Sequence, residues 1–164
     1  MTPFGIANSP YTDPREVAEV ANRLQRRAVE GSRLGIPLLI PVDAIHGHAY
    51  VGGATVFPHN LGLAATWEPD LARRIGQVTA REVRATGAHQ NYGPTCDVVR
   101  DPRWGRTFET FGESSRLVGE MASAKLRGIR EDGPGVLATA KHFPAYGRPE
   151  RGEDAAPVDV SPLT

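Results

Sequence analysis

The sequence predicts an α/β fold built from parallel βα units. Three amphipathic stretches of helical period alternate with three short apolar runs, and a dense polar cluster follows each apolar run. The first amphipathic stretch opens at Thr12-Asp13-Pro14, a capping residue followed by a proline suited to the first helical turn. Val17, Val20, Ala21, Leu24 and Ala28 then recur at helical spacing until Gly35. The run from Ile36 to Val42 is too short and too proline-bounded for a helix, and predicts a buried strand ending at Asp43. A second helix is expected from about Glu68 to Thr86, closed by Gly87, with Leu71, Ala72, Ile75, Val78, Thr79 and Val83 on its apolar side. A second strand is expected within His89 to Val99. A third helix, about Ser114 to Arg130, carries Leu117, Val118, Met121, Leu126 and Ile129 and stops before the turn signal Asp132-Gly133-Pro134-Gly135. Val136 to Ala140 is the third expected strand, and Arg148 to Thr164 reads as a loop that ends without closing an element, as if the chain were cut.

Parallel α/β folds gather ligand groups at the C-terminal ends of their strands. The clusters fall there. After the first strand come Asp43, His46 and His48. After the second come Arg100-Asp101-Pro102-Arg103-Trp104-Gly105-Arg106, then Glu109 and Glu113. After the third come Lys141, His142, Phe143 and Tyr146. A carboxylate with fixed cations and aromatic surface suits a sugar, since Asp accepts from vicinal hydroxyls and Arg and Lys donate to others. The same set suits a phosphorylated metabolite, and spacing alone does not separate the two.

Composition narrows the classes. The 164 residues are 40% hydrophobic and 23% charged, which fits a globular chain. Nineteen basic and nineteen acidic residues leave zero formal charge, so a general attraction to nucleic acid or an anionic membrane has no support. One cysteine, Cys96, allows no intrachain disulfide and no Cys-based zinc cluster, and in its apolar setting it reads as a small buried side chain. No apolar run approaches the roughly 18 residues of a membrane span. The chain begins without a basic and apolar leader, so as it stands it reads as cytoplasmic.

Five segments occur in one order: Pro41-Val42-Asp43-Ala44-Ile45-His46-Gly47, Ala54-Thr55-Val56-Phe57-Pro58, Asp101-Pro102-Arg103-Trp104-Gly105-Arg106, Phe111-Gly112-Glu113 and Lys141-His142-Phe143. In them the chain resembles the N-terminal (β/α)8-barrel domain of glycoside hydrolase family 3, the β-glucosidase, β-xylosidase and exo-glucanase family. The resemblance runs from about Asn22 to the C-terminus. It implies a partial TIM-type barrel with parallel strands, residues 1–164 being a fragment of that domain, since a full barrel needs about 250 residues. It also implies that Asp43, Arg106, Lys141 and His142 bind the sugar in subsite −1 of a retaining enzyme acting on terminal β-D-glucosyl or β-D-xylosyl residues. The implied partner is a β-linked oligosaccharide or glycoside, with no cofactor and no metal. A retaining glycosidase needs two carboxyl groups about 5–5.5 Å apart. In the family both lie beyond the point where this chain stops, so no catalytic residue is expected here. The chain alone is then inactive, and activity needs the rest of the barrel and the C-terminal domains.

Two rivals stand beside this. One is a non-catalytic or vestigial sugar-binding fragment. The other is a metal-dependent hydrolase in which His46 and His48, alternating at a strand end, bind one ion. Arg103 and Trp104 read as packing the loop base, with Arg103 paired to Asp101 or Glu109. Asp97, Glu109 and Glu113 match neither reacting carboxylate of the family. His46 is expected to fix its loop by hydrogen bonds, and His59, His89 and Tyr92 to satisfy hydrogen bonds in the core. Ser114-Ser115 and Pro144 depart from the family's usual residues, affecting a helix start and the loop carrying Tyr146.

Overall fold

Helices and strands alternate as the periodicity demands. The computed structural model describes residues 13–131, 135–143 and 145–158. In chain order these form α1 (Pro14–Gly31), β1 (Pro41–Val42), α2 (Asn60–Ala64), α3 (Pro69–Ala85), β2 (Gln90–Asn91), a 3-10 turn (Thr107–Glu109), α4 (Ser115–Glu131), β3 (Leu137–Ala138) and a second 3-10 turn (Glu150–Gly152). The strands are parallel in the order β1-β2-β3, with Pro41 opposite Gln90, Val42 opposite Asn91, Gln90 opposite Leu137 and Asn91 opposite Ala138. Parallel strands joined through helices are the arrangement of an incomplete α/β barrel.

Local chemistry sets the helix starts. Asp13 caps α1 by accepting from the Arg15 N–H at 2.7 Å, and Pro14 fills the first helical position. Pro69 does the same for α3. At the far end of α3, Gly87 takes a φ of +83°, and a Cβ there would stand 2.7 Å from that of Ala21. Only glycine meets both demands.

Two apolar clusters hold the layers together. Ala21, Ile40, Val42, Ala80, Val83, Ile129 and Val136 join α1, β1, α3, α4 and the segment leading into β3. Leu63, Ala72, Ile75, Phe111, Leu117, Val118 and Met121 join α2, α3 and α4 around the loop at Phe111. Helices α3 and α4 approach closely at Gly76 and Gly128. A Cβ on Gly128 would lie 1.9 Å from the Arg73 carbonyl oxygen, and one on Gly76 would lie 2.4 Å from that of Lys125.

The expected boundaries of the second and third helices hold within a residue or two, and three other expectations need correction. The first helix ends at Gly31, not Gly35, with Ser32 extended beyond it, and Leu24 on its apolar stripe is exposed. The first strand is two residues long, and Ile36, Leu38 and Leu39 are exposed. Ahead of β1 the Leu38 N–H and carbonyl bond the Gln25 side chain rather than a neighbouring strand, and of this run only Ile40 and Val42 enter the core. Cys96 lies outside β2 and is half-buried, its thiol donating to the Pro94 carbonyl at 3.4 Å. The expected loop from Arg148 includes the 3-10 turn at Glu150–Gly152. Thr12, Asp132, Gly133, Pro134, Pro144 and the tail from 159 lie outside the described residues.

Candidate sugar-binding site

The loops that follow the three strands carry all four residues expected at the site, each half-buried. Asn91 at the end of β2 anchors the first loop. Its buried amide accepts from the Ala44 N–H at 2.9 Å and donates to the Ala44 carbonyl at 3.1 Å. Asp43 is thereby held at the tip of β1 by a bond from the neighbouring strand.

Lys141 donates to the Asp43 carboxylate at 2.6 Å. A cis peptide bond joins Lys141 to His142. The His142 ring and backbone nitrogens both lie against the same oxygen of buried Asp97, Nδ1 at 2.9 Å and N at 3.2 Å. With Nδ1 bonded to that carboxylate, the orientation of the imidazole is set and its Nε2 edge is left for other contacts. Cys96 N–H donates to the Lys141 carbonyl and Lys141 N–H to that of Pro94 at 3.1 Å, which ties this loop to the one after β2.

Arg106 is held locally. Glu109, three residues on and buried, accepts from its Nε and one terminal nitrogen, both at 2.8 Å. These bonds hold the guanidinium pKa above its already high ordinary value. Tyr146 closes the gap between Arg106 and His142. Its ring centre is 5.8 Å from the Arg106 guanidinium carbon and 4.9 Å from the centre of the His142 ring. The four expected residues therefore form one chain of contacts, Asp43 to Lys141 to His142 and, through Tyr146, to Arg106.

Asp154 supports the aromatic side of this arc. It accepts from Trp104 Nε1 at 3.1 Å and from the Tyr146 hydroxyl. Those bonds, aided by the charges of Arg106 and His142, keep its carboxyl below the usual range. Trp104 is almost fully buried and packs the loop base as expected, while Arg103 grips Asp101 as expected, through Nε at 3.0 Å and a terminal nitrogen at 2.6 Å, with its side chain largely exposed. The Arg103 bonds lower the Asp101 carboxyl to about 2. Phe143, by contrast, is 87% exposed.

Sequence patterns did not single out the supports: Asn91, Asp97 as partner of His142, Glu109 as partner of Arg106, and Asp154. Their signal is being polar at buried or loop positions beside motif residues, which becomes specific only when partners are visible.

The two histidines of the metal alternative serve different partners. His46 Nδ1 lies 3.0 Å from the Phe57 carbonyl oxygen, and its ring meets that of His59 edge-on at 4.3 Å. His48 is buried with Nε2 at 2.8 Å from Thr86 Oγ1, and burial pushes its imidazole down to about 4. Among the described residues no three His, Cys, Asp or Glu side chains are grouped to hold a metal ion. No described helix is long and apolar enough to cross a membrane.

Known proteins share this sequence and fold. The family model described as glycosyl hydrolase family 3 N terminal domain matches residues 5–162. A β-xylosidase of Formosa agariphila is 39% identical over 93% of this chain and 22% of its own length. The periplasmic β-glucosidase of Salmonella typhimurium is 38% identical over 85% of this chain and 18% of its own. The exo-1,3/1,4-β-glucanase of a Pseudoalteromonas species superposes with a TM-score of 0.85 at 41% identity, covering 94% of this chain and 26% of that structure. The chain thus spans about a fifth of the length of the curated relatives it matches. With almost its whole length matched by the family model, the chain belongs to glycosyl hydrolase family 3, within that family's N-terminal domain.

Proposed function

We propose that this chain is the part of a retaining β-glycosidase that grips the sugar in subsite −1, in an enzyme removing terminal β-D-glucosyl or β-D-xylosyl residues. Asp43 accepts from two neighbouring hydroxyls. Lys141 shares that carboxylate and donates to a further hydroxyl, while His142 and Arg106 donate from the flank. Fixed donors and acceptors of this kind hold the ring as its anomeric carbon gains positive charge. The reacting carboxylates lie outside these 164 residues, so the chain is a fragment of the barrel domain that binds without turning over. The observation that carries this proposal is the Lys141–Asp43 bond of 2.6 Å, beside His142 and linked through Tyr146 to Arg106.

The test has two parts. Titration of the chain with D-glucose and D-xylose should show saturable binding that is lost in Asp43→Ala. An aryl β-glucoside should be hydrolysed only when the chain is continued by the remainder of a family 3 barrel and its C-terminal domains. Turnover by the chain alone contradicts the placement of the reacting carboxylates. Binding without turnover in the extended protein turns the assignment to a vestigial sugar-binding unit.

A further inference from the structure

We propose that Lys125, in the middle of α4, is a positioning residue that holds the Asp43 loop and the Arg106 turn in register. This rests on the sugar-binding role proposed above. Lys125 is 1% exposed, yet among the described residues its ammonium bonds no carboxylate. It donates to the carbonyl of Ile45, two residues beyond Asp43, and to Asn60 Oδ1 at 2.7 Å. Asn60 is fully buried and passes the link on, its Nδ2 donating to the Glu109 carbonyl at 2.7 Å. Glu109 is the residue whose carboxylate clamps Arg106. One continuous path of hydrogen bonds, buried at its centre, thus runs from the loop of Asp43, through Lys125 and Asn60, to the turn of Arg106.

A buried lysine without an anion is costly, and methionine would fill the same space without desolvating a charge. Desolvation pushes this ammonium down to about 7. In its neutral form the amine has two N–H donors, and the two acceptors use both. The bonding pattern therefore suits a strut between two loops better than a counter-ion.

The test compares side-chain and amide hydrogen exchange by NMR in the sugar-free chain. Arg106 Nε–H reports the clamp, Ala44 N–H reports the Asp43 loop, and Val83 N–H in α3 reports general stability. Lys125→Met should speed exchange at Arg106 and Ala44 about tenfold relative to Val83, the scale of a lost buried hydrogen bond. Asn60→Ala cuts only the second arm and should speed Arg106 while leaving Ala44 unchanged. Equal acceleration at all three positions in Lys125→Met makes Lys125 core filling and overturns the proposal. So does unchanged Arg106 exchange in Asn60→Ala, which decides the matter if Lys125→Met does not fold. The expected exchange pattern in a chain that binds neither glucose nor xylose removes the sugar role and leaves the strut. Unchanged exchange in a chain that binds sugar removes the strut and leaves the sugar role.

Discussion

Lys141 reaches Asp43 at 2.6 Å across 98 positions of sequence, from the loop after β3 to the tip of β1. Both groups are partly buried, with 13% and 27% of their side chains exposed, so the pair feels less screening than one on the open surface. Asp43→Asn keeps the shape and removes the charge. It should weaken D-glucose binding by roughly 10- to 100-fold, the range of lost hydrogen bonds to a charged group, as read by calorimetric titration.

Glu109→Gln breaks one of two bonds to Arg106 and leaves a half-buried guanidinium without its counter-charge. The expected cost is about 1–3 kcal/mol of folding stability. Urea unfolding should show a lower midpoint with an unchanged slope.

Two glycines of α4 should respond in opposite directions. Gly128→Ala places a methyl group 1.9 Å from the Arg73 carbonyl and must push α3 and α4 apart, costing about 1–3 kcal/mol or more. At Gly119 nothing lies within 4 Å of the added carbon, so Gly119→Ala should stabilise by roughly 0.5–1 kcal/mol. Thermal melts of the two variants would show shifts of opposite sign.

Two buried bases make stability rise with pH. His48 sits near 4 when folded, against an ordinary 6.5, so its contribution is complete above 6.5 and lost as pH falls through 4. Lys125 acts the same way higher up, its contribution complete above 10.5 and lost as pH falls through 7. Each group sets a slope of at most about 1.4 kcal/mol per pH unit within its window. Urea midpoints for His48→Leu should therefore fall less between pH 6.5 and 4 than those of the parent chain. Lys125→Met should flatten the rise between pH 7 and 10.5.

Sequence legibility followed how local the determining physics is. Helices α3 and α4 were readable because their stripes, Ile75 and Val83 in one and Leu117, Met121 and Ile129 in the other, recur at one period and are buried as that period requires. The stretch from Ile36 to Leu39 was not, because an apolar run does not state which neighbour covers it, and these residues precede β1 and stay exposed. Asp43, Arg106, Lys141 and His142 were visible through their motifs. Asp97, Asn91 and Asn60 were not, since a lone polar residue acquires meaning only from the distant group it bonds: His142 45 positions away, Ala44 at 47, Glu109 at 49. The short helix α2, with five residues and no side-chain cap, offered no periodic signal at all.

The two cations of the arc are secured at different ranges, and that difference predicts how the arc comes apart. Arg106 and Glu109 belong to a single turn, so their grip survives any sliding of one strand past another. Asp43 and Lys141 meet only when the first and third strands are aligned, which makes their bond a gauge of sheet alignment. Mild denaturation or a mispaired strand should silence that gauge first, leaving the Arg106 guanidinium still gripped by Glu109 while the carboxylate across the sheet has lost its partner.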